Sequence, residues 1–258
     1  MAFSSGGLWY EWRGPCDGPV LVLSPGMGGS ASYWEPNLSA LSAHYHVLLY
    51  DHRGTGRSNR TLPSEVTVAS MGEDIIALMS ELGVQQPYFL GHALGGLIGL
   101  DVELRYFAFK KLVIVNGWAS LDPHFERCFE IRLDLLGKCG PTAYVRAQPM
   151  FLYPASWISE NIEHLDAEAE HQVVNFPPVE NLEKRIAAAK AFEPLHDITC
   201  ETLVIGAADD MLVPIGRSKE LAHFIACGEF AEMKWGGHAC NVTDPARFND
   251  LVLDFLRR

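Results

Sequence analysis

Residues 90–96, LGHALGG, have the spacing of a tight turn that presents a catalytic nucleophile. The apolar runs PYFL and LIGLDVELRYF flank this segment, so the pattern predicts a strand, a sharp turn and a helix. Gly91 and Gly95 match the glycines of the Gly-x-Ser-x-Gly elbow, but the central residue is Ala93. Because a methyl group cannot attack a substrate, chemistry at this elbow needs another reacting group.

His238 lies in a segment that can present an imidazole to a ligand. In KWGGHACNVTDP, two glycines come directly before it, after a short apolar strand. A single histidine is more often an ordinary core or surface residue. Cys240 is a poor candidate for its nucleophilic partner, because neighbours in one loop rarely face the same substrate. The case for His238 therefore depends on acidic residues elsewhere.

Two such acids, Asp209 and Asp210, follow the apolar run TLVIGA. A carboxylate bound to Nδ1 fixes the tautomer of a histidine and stabilises the imidazolium that forms during catalysis. The chain order of elbow, acid and histidine is that of one large class of hydrolases. Both aspartates are candidates, and we favour Asp210 because its spacing to Pro214 fixes the loop that follows the acid.

The segment SPGMGGSASYW, residues 24–34, is a candidate oxyanion-binding loop. Its glycines permit positive φ angles and a close approach to a ligand. The predicted donors are the backbone N–H groups of Met27 and of Leu94, the residue after the elbow position. Ser24 precedes this loop and is predicted to face the pocket without acting as a nucleophile.

Residues 51–58, DHRGTGRS, resemble a phosphate-binding glycine loop but lack both the G-x-G-x-x-G frame and a following G-K-[ST]. We interpret them as a structural loop that supports the elbow. His92 is predicted to pack beneath the elbow.

Alternating strands and helices must position these residues. Buried strands are predicted at residues 19–26, 46–54, 87–91, 110–118 and 201–210, and an amphipathic helix at 68–84. This alternation predicts an α/β protein with a mostly parallel, doubly wound sheet. Residues 1–118 and 197–258 would form this core. Residues 119–196 contain no clear strand, so we expect a helical cap over the carboxyl ends of the strands, where ligands bind in such sheets.

Further candidate substrate-binding residues come from one strand end and from the expected cap. Asn116 and Trp118 follow the run LVIV. In the cap, exposed charge and aromatic packing explain the candidates equally well. The cap candidates are Arg127, Arg132, Gln148, Tyr153 and Trp157.

Composition restricts the partners. The 258 residues, 48% hydrophobic, suit one α/β domain with an insertion. The formal net charge of −12 opposes binding to nucleic acid and to anionic membranes. The six cysteines lack zinc-site spacing, and we expect reduced thiols. With no signal peptide or membrane span apparent, we expect a cytoplasmic protein acting on a small molecule, without metal or organic cofactor. The oligomeric state is left open, with a homodimer among the options.

The chain resembles the α/β-hydrolase superfamily along its whole length. Within it, the chain is most similar to the aminoacrylate or carbamate hydrolases of pyrimidine utilisation, which also carry alanine in the elbow. The stretches that carry this resemblance are GHALG, NGW, RCF, AQPMFLYPASW and GGHACNVTDP. The resemblance implies uracil catabolism, with a nitrogen-bearing three-carbon acid or carbamate as substrate. The chain departs from the superfamily at Ala93 and at Pro25, where many members have the histidine of a His-Gly pair. Both departures argue against an acyl-enzyme.

The resulting hypothesis is a C–N hydrolase of the amidohydrolase type (EC 3.5.1) that lacks a serine nucleophile. His238, oriented by Asp210, would activate a water molecule in the space beside Ala93. One alternative is a base-catalysed lyase or other small-molecule chemistry. Another is a non-catalytic binding protein, which has no evident need for both Asp210 and His238. The sequence also leaves open whether Ala93 was engineered from serine.

Overall fold

The computed structural model describes residues 2–193 and 197–258. Its centre is an eight-stranded sheet with the order β1-β2-β4-β3-β5-β6-β7-β8. The first two strands pair antiparallel, and β2 also pairs antiparallel with β4, whereas the remaining pairs are parallel. The strands are β1 (Ala2–Phe3), β2 (Trp9–Arg13), β3 (Val20–Ser24), β4 (His46–Tyr50), β5 (Tyr88–His92), β6 (Lys111–Val115), β7 (Thr202–Ala207) and β8 (Gly228–Met233).

Helices connect the parallel strands and cover both faces of the sheet. They are α1 (Glu35–Ser42), α2 (Val68–Glu81), α3 (Leu94–Tyr106), α4 (Pro123–Leu152), α5 (Ala155–Glu160), α6 (Ile162–Val174), α7 (Val179–Lys190), α8 (Ile215–Phe224), α9 (Cys240–Thr243) and α10 (Pro245–Arg257). Helix α4 is interrupted at Gly140, whose φ of 81° and ψ of 179° are not helical.

The side chains of the central strands alternate between two apolar clusters. In β6, Ile114 packs in the cluster that includes α2 and α3, whereas Val113 and Val115 pack in the cluster that includes α1 and α10. All three are fully buried. Burial on both faces explains why these strands appear in the sequence as continuous apolar runs. The predicted α/β-hydrolase architecture, mostly parallel and doubly wound, is confirmed.

Helices α4–α7 lie between β6 and β7 in the chain and contact the carboxyl edge of the sheet. The Ala239 N–H donates to the Leu152 carbonyl at 3.0 Å. The Asn181 side chain donates to the Gly54 carbonyl at 3.0 Å, near the end of β4. No strand occurs in residues 119–193, as expected for a helical insertion. Residues 194–196, at the expected end of the cap, lie outside the described residues, and the division into core and cap stays a prediction.

The antiparallel edge of the sheet was not predicted. Strand β2, WYEWR, is only partly buried and carries charged residues, so it lacks the continuous apolar run of the central strands. All six cysteines fall within the described residues, and each is a free thiol. Across residues 2–193 and 197–258, no helix combines the length and apolar character needed to cross a bilayer.

Candidate active site

The elbow keeps its strained backbone although it has no nucleophilic side chain. Ala93 connects β5 to α3 with φ 46° and ψ −113°, a conformation that few non-glycine residues adopt. A Cβ at Gly91 would lie 2.5 Å from the carbonyl carbon of Gly95, and one at Gly95 would overlap the carbonyl oxygen of Ser24. Both glycines are therefore required by the close packing of strand, helix and oxyanion loop.

A buried histidine–carboxylate pair lies at the carboxyl edge of the sheet. The Nδ1 of His238 is 2.8 Å from Oδ2 of Asp210, and their side chains are 4% and 0% exposed. The other oxygen, Oδ1, accepts from the backbone N–H groups of Leu212 at 2.7 Å and Val213 at 2.9 Å. With Nδ1 donating to the carboxylate, Nε2 of His238 is the nitrogen that can accept a proton.

Asp209 makes different contacts from its neighbour. Its carboxylate accepts from the backbone N–H groups of Gly236 at 3.2 Å and Gly237 at 2.9 Å. Both glycines have positive φ angles, 134° and 68°. Asp209 therefore holds the loop that carries His238, while the favoured residue, Asp210, contacts the imidazole itself.

Asn116 and His92 fix the same loop from the sheet side. Asn116 Nδ2 donates to the His238 carbonyl at 2.7 Å, and Asn116 Oδ1 accepts from the Ala207 N–H at 2.9 Å. The Nε2 of His92 donates to the same His238 carbonyl at 2.8 Å. Both ends of the Asn116 amide therefore bond to backbone and hold the loop that carries His238, and the substrate contact predicted for this residue stays a prediction.

The predicted oxyanion loop forms a tight turn against the elbow. The Gly29 N–H donates to the Gly26 carbonyl at 3.0 Å, closing the turn around Met27. Gly95 packs against the carbonyls that precede this turn, which brings it to the first turn of α3. Among the described residues, neither the Met27 nor the Leu94 N–H donates to a protein acceptor. Both amides can therefore bind a ligand, and their oxyanion role stays a prediction.

The loop at residues 51–58 supports the oxyanion turn. The Asp51 carboxylate accepts from the backbone N–H of Ala31 at 2.8 Å and from that of Arg57 at 2.9 Å. The His52 N–H donates to the Gly29 carbonyl at 2.8 Å. These contacts agree with the structural interpretation of this loop, although the turn they reach directly is the oxyanion turn.

Ser24 and Cys240 are poorly placed to act as nucleophiles. The fully buried hydroxyl of Ser24 lies 2.7 Å from the hydroxyl of Tyr50. Cys240 is also fully buried, and burial, followed by the charge of Asp210, raises the pKa of its thiol to about 12. The reactive thiolate is thus disfavoured at neutral pH.

Among the predicted cap residues, Arg132 is buried and bonds to the half-buried Gln148. Arg132 is 4% exposed, and its Nη2 donates to the hydroxyl of Tyr144 at 2.8 Å and to Oε1 of Gln148 at 2.7 Å. In the part of the chain that the structure describes, no carboxylate pairs with this guanidinium. A buried cation with only neutral partners is a candidate anion-binding group.

The aromatic candidates lie in two places. Trp118 is buried, with its ring centroid 4.5 Å from that of Phe125. Tyr153 and Trp157 have ring centroids 4.5 Å apart, and the Tyr153 backbone lies against the His238 loop at Gly237. Burial raises the pKa of the Tyr153 hydroxyl to about 12.

Arg127 lies on the outer surface of α4. Its side chain is 74% exposed, and its Nε lies 3.0 Å from Oε2 of Glu130. The structure thus separates Arg127 from Arg132, although the sequence places both on one helix. A ligand contact at Arg127 has no structural support.

Arg185 and His52 were not predicted as site residues. Both line a cavity of ≈120 Å³, and Arg185 contacts the Gly29 end of the oxyanion turn, whereas His92 contacts the Gly26 end. His238 does not line this cavity. One signal was available in the sequence, because Arg185 interrupts the apolar stripe of α7 formed with Leu182, Ile186 and Ala189. Within the described residues, no group of three or more His, Cys, Asp or Glu side chains could hold a metal ion.

Comparisons with known proteins agree with this geometry. A family model described as alpha/beta hydrolase fold matches residues 19–137. An enol-lactonase from Burkholderia xenovorans LB400 has a TM-score of 0.86 at 26% identity, over 97% of this chain and 96% of that chain. A hydrolase from Pseudomonas aeruginosa PA01 has a TM-score of 0.83 at 27% identity, over 96% and 94%.

Curated relatives are more similar in sequence. A protein of Caulobacter vibrioides named "Putative carbamate hydrolase RutD" is 48% identical over 97% of this chain and 95% of its own length. A protein of the same name from Rhizobium rhizogenes is 45% identical over 93% of this chain and 94% of its own length. The chain therefore belongs to the α/β-hydrolase superfamily and, within it, to the RutD family.

Proposed function

We propose that this protein hydrolyses a C–N bond of a small nitrogen-bearing acid in uracil catabolism, aminoacrylate or carbamate, without a covalent intermediate. The observation that carries the proposal is the buried His238–Asp210 pair beside an elbow whose central residue is Ala93. The names of the relatives support carbamate as one substrate, and the resemblance of the sequence supports aminoacrylate as the other.

His238 would be the proton-transfer group. Asp210 holds Nδ1, so Nε2 exchanges protons with substrate and water. The carboxylate stabilises the imidazolium whenever Nε2 is protonated. A positioned acid–base group of this kind contributes typically about 10²- to 10⁴-fold to a rate. That modest factor suits substrates that already break down in water.

For aminoacrylate, the imidazolium of His238 would first donate a proton to C2 of the enamine, giving an iminium at C3. Nε2 then accepts a proton from water as the water oxygen bonds to C3. The imidazolium returns that proton to the amine, the C–N bond breaks, and ammonia leaves. Loss of the hydroxyl proton to Nε2 gives malonic semialdehyde and restores the imidazolium. The amides of Met27 and Leu94 would hold the developing oxygen.

Carbamate would need fewer steps. The imidazolium of His238 donates a proton to the carbamate nitrogen, and the C–N bond breaks to give ammonia and carbon dioxide. Neither route uses a nucleophilic side chain, so both are compatible with alanine at the elbow. The volume beside Ala93 would hold the attacking water on the aminoacrylate route.

The test is ammonia release from freshly generated aminoacrylate and, separately, from carbamate. Native protein and His238→Ala are compared with the buffer background, and the aminoacrylate product is assayed as malonic semialdehyde. We expect release above background with at least one substrate and a return to background in His238→Ala. The substrate that responds identifies the reaction.

Three results would contradict the proposal. If native protein and His238→Ala both match the background, the chain does not hydrolyse these substrates. If native protein converts aminoacrylate without releasing ammonia, the chemistry is that of a lyase. Tight binding of substrate without turnover would instead favour a non-catalytic binding protein.

A further inference from the structure

Arg185 is a buried cation bonded only to neutral groups. Arg185 is 2% exposed. Its guanidinium donates to Oγ1 of Thr55 and, at 2.7 Å, to Nδ1 of His52. Its Nε is buried without a hydrogen-bond partner, and across residues 2–193 and 197–258 no acid pairs with it. Taking a cation out of water is costly unless an anion compensates it. The described protein does not supply that anion.

The neighbours of Arg185 do not neutralise it. Burial lowers the pKa of Arg185 to about 10, so the guanidinium remains charged at neutral pH. Burial, and then the charge of Arg185, hold the pKa of His52 well below its usual value, so this imidazole is neutral and its Nδ1 accepts. The cluster therefore carries one uncompensated positive charge.

This charge lies in the wall of a cavity of ≈120 Å³. One water needs roughly 10–15 Å³ of such space, so the cavity has room for several waters or one small organic acid. Two other charged groups line it, Arg53 and Asp74, and these bond to each other at 2.6–3.1 Å. The lining groups thus leave one net positive charge. The apolar part of the wall is formed by Leu8, Leu62, Pro63, Val66, Met71 and Ile98.

Arg185 and His92 contact the two ends of the oxyanion turn. A Cβ at Gly29 would overlap the Arg185 guanidinium, and a Cβ at Gly26 would lie 2.6 Å from Nδ1 of His92. These two glycines are the ends of the hydrogen-bonded turn, whose Cα atoms are less than about 7 Å apart in such turns. Arg185 and His92 therefore contact opposite ends of the same turn, and the ring of His92 contacts that of His238.

We propose that Arg185 binds the carboxylate of a small organic acid in this cavity, next to the oxyanion turn. The inference goes beyond the proposed function, because His238 does not line this cavity and the acid bound there is a ligand in addition to the substrate. A guanidinium suits this role because its fork of N–H donors matches both carboxylate oxygens. The apolar wall would contact the carbon chain. Neutral esters, lactones and amides would lack the contact to Arg185.

The test is equilibrium binding of propionate and of propionamide, two unreactive probes of nearly equal shape that differ in charge. Binding to the native protein is measured by ligand-observed NMR titration, without turnover. We expect propionate to bind about 10- to 100-fold more tightly than propionamide, the range of a charge-assisted hydrogen bond. Arg185→Met should remove this preference, and Arg185→Lys should retain part of it. Arg146→Met, an exposed change on α4, is the matched control and should retain all of it.

Three results would overturn the inference. These are no saturable propionate binding by the native protein, equal binding of both probes, or a full preference for propionate in a folded Arg185→Met protein. The native comparison decides the question even if a variant fails to fold. His238→Ala should bind propionate as the native protein does. Failure of the proposed hydrolysis is therefore distinguishable from failure of the carboxylate site.

Discussion

Buried charged groups have different partners in two regions of the molecule. One region is the turns at the carboxyl edge of the sheet, and the other is the helices α4–α7 above them. At the sheet edge, the carboxylates have their partners within the protein: Asp210 accepts from an imidazole and two backbone amides. In the helices, the buried guanidinium groups of Arg132 and Arg185 bond only to neutral groups. The buried carboxylates of the sheet edge are compensated without a ligand, whereas the helices carry charge that is not compensated.

This difference suggests that the two regions have different functions. Fully satisfied hydrogen-bond networks are rigid, which is what the reacting groups of an active site need. An uncompensated buried cation is unfavourable in the free protein and favourable once an anion binds. We therefore interpret the sheet edge as the part that performs proton transfer and the helices as the part that selects the ligand.

The largest expected effect distinguishes the two neighbouring aspartates. Asp210→Asn should lower the rate of ammonia release by about 10²- to 10⁴-fold, because Nδ1 of His238 loses the carboxylate that fixes its tautomer. Asp209→Asn should lower it by less than about tenfold, since the amide oxygen can still accept from one of the two glycine N–H groups of the loop. Steady-state rates of both variants test this, and equal losses would contradict the assignment of Asp210.

Removal of Asn116 should weaken the sheet-edge network itself. Asn116→Ala leaves the buried Ala207 N–H without an acceptor and removes a donor from the His238 carbonyl. We expect the free energy of unfolding to fall by about 1–3 kcal/mol, measured by urea denaturation. The rate should fall while KM stays near its native value, because the residue positions His238. A raised KM alone would instead favour direct substrate contact.

Two arginines of α4 test whether the buried guanidinium groups of the helices bind the ligand. Arg132→Met should raise KM, or weaken binding of an anionic substrate, by about tenfold, the effect of one charge-assisted hydrogen bond. Arg127→Met removes an exposed guanidinium and should change neither KM nor stability measurably. Steady-state kinetics of the two variants decide the point. Equal effects would mean that burial does not identify the ligand-binding charges.

The smallest effect at neutral pH concerns two buried histidines. Burial, and then the charges of Arg185 and His238, lower the pKa values of His52 and His92 respectively. Below the ordinary histidine pKa of 6.5, the unfolded chain takes up protons that these folded histidines do not. The free energy of unfolding should therefore fall as the pH drops below that value, by up to about 1.4 kcal/mol per pH unit for each histidine.

Urea denaturation of the native protein, His52→Gln and His92→Gln over this pH range tests that slope. In each variant, the pH slope of the free energy of unfolding should fall by up to the contribution of the histidine that was replaced. An unchanged slope in both variants would show that these imidazoles do not remain neutral in the folded protein.

The sequence revealed the sheet-edge groups better than the helix groups. Ala93, Asp210 and His238 could be placed because each follows an apolar strand, and Ala93 and His238 also lie near glycines in the sequence. Arg185 contacts His52, 133 residues away, and nothing local shows which face of α7 meets which loop. Strand β2 was not predicted because it also lacks a local signal. Its half-buried, charged edge lacks the apolar run by which the central strands were recognised.

The most direct test of the central claim, that catalysis uses the elbow without a nucleophile, is the rate of ammonia release by Ala93→Ser. A hydroxyl at this position would occupy the volume in which the attacking water is proposed to bind. We predict a rate at least about tenfold below that of the native protein. The fold should be unchanged, because serine is the usual residue in this backbone conformation. A rate equal to or above the native rate would contradict the account.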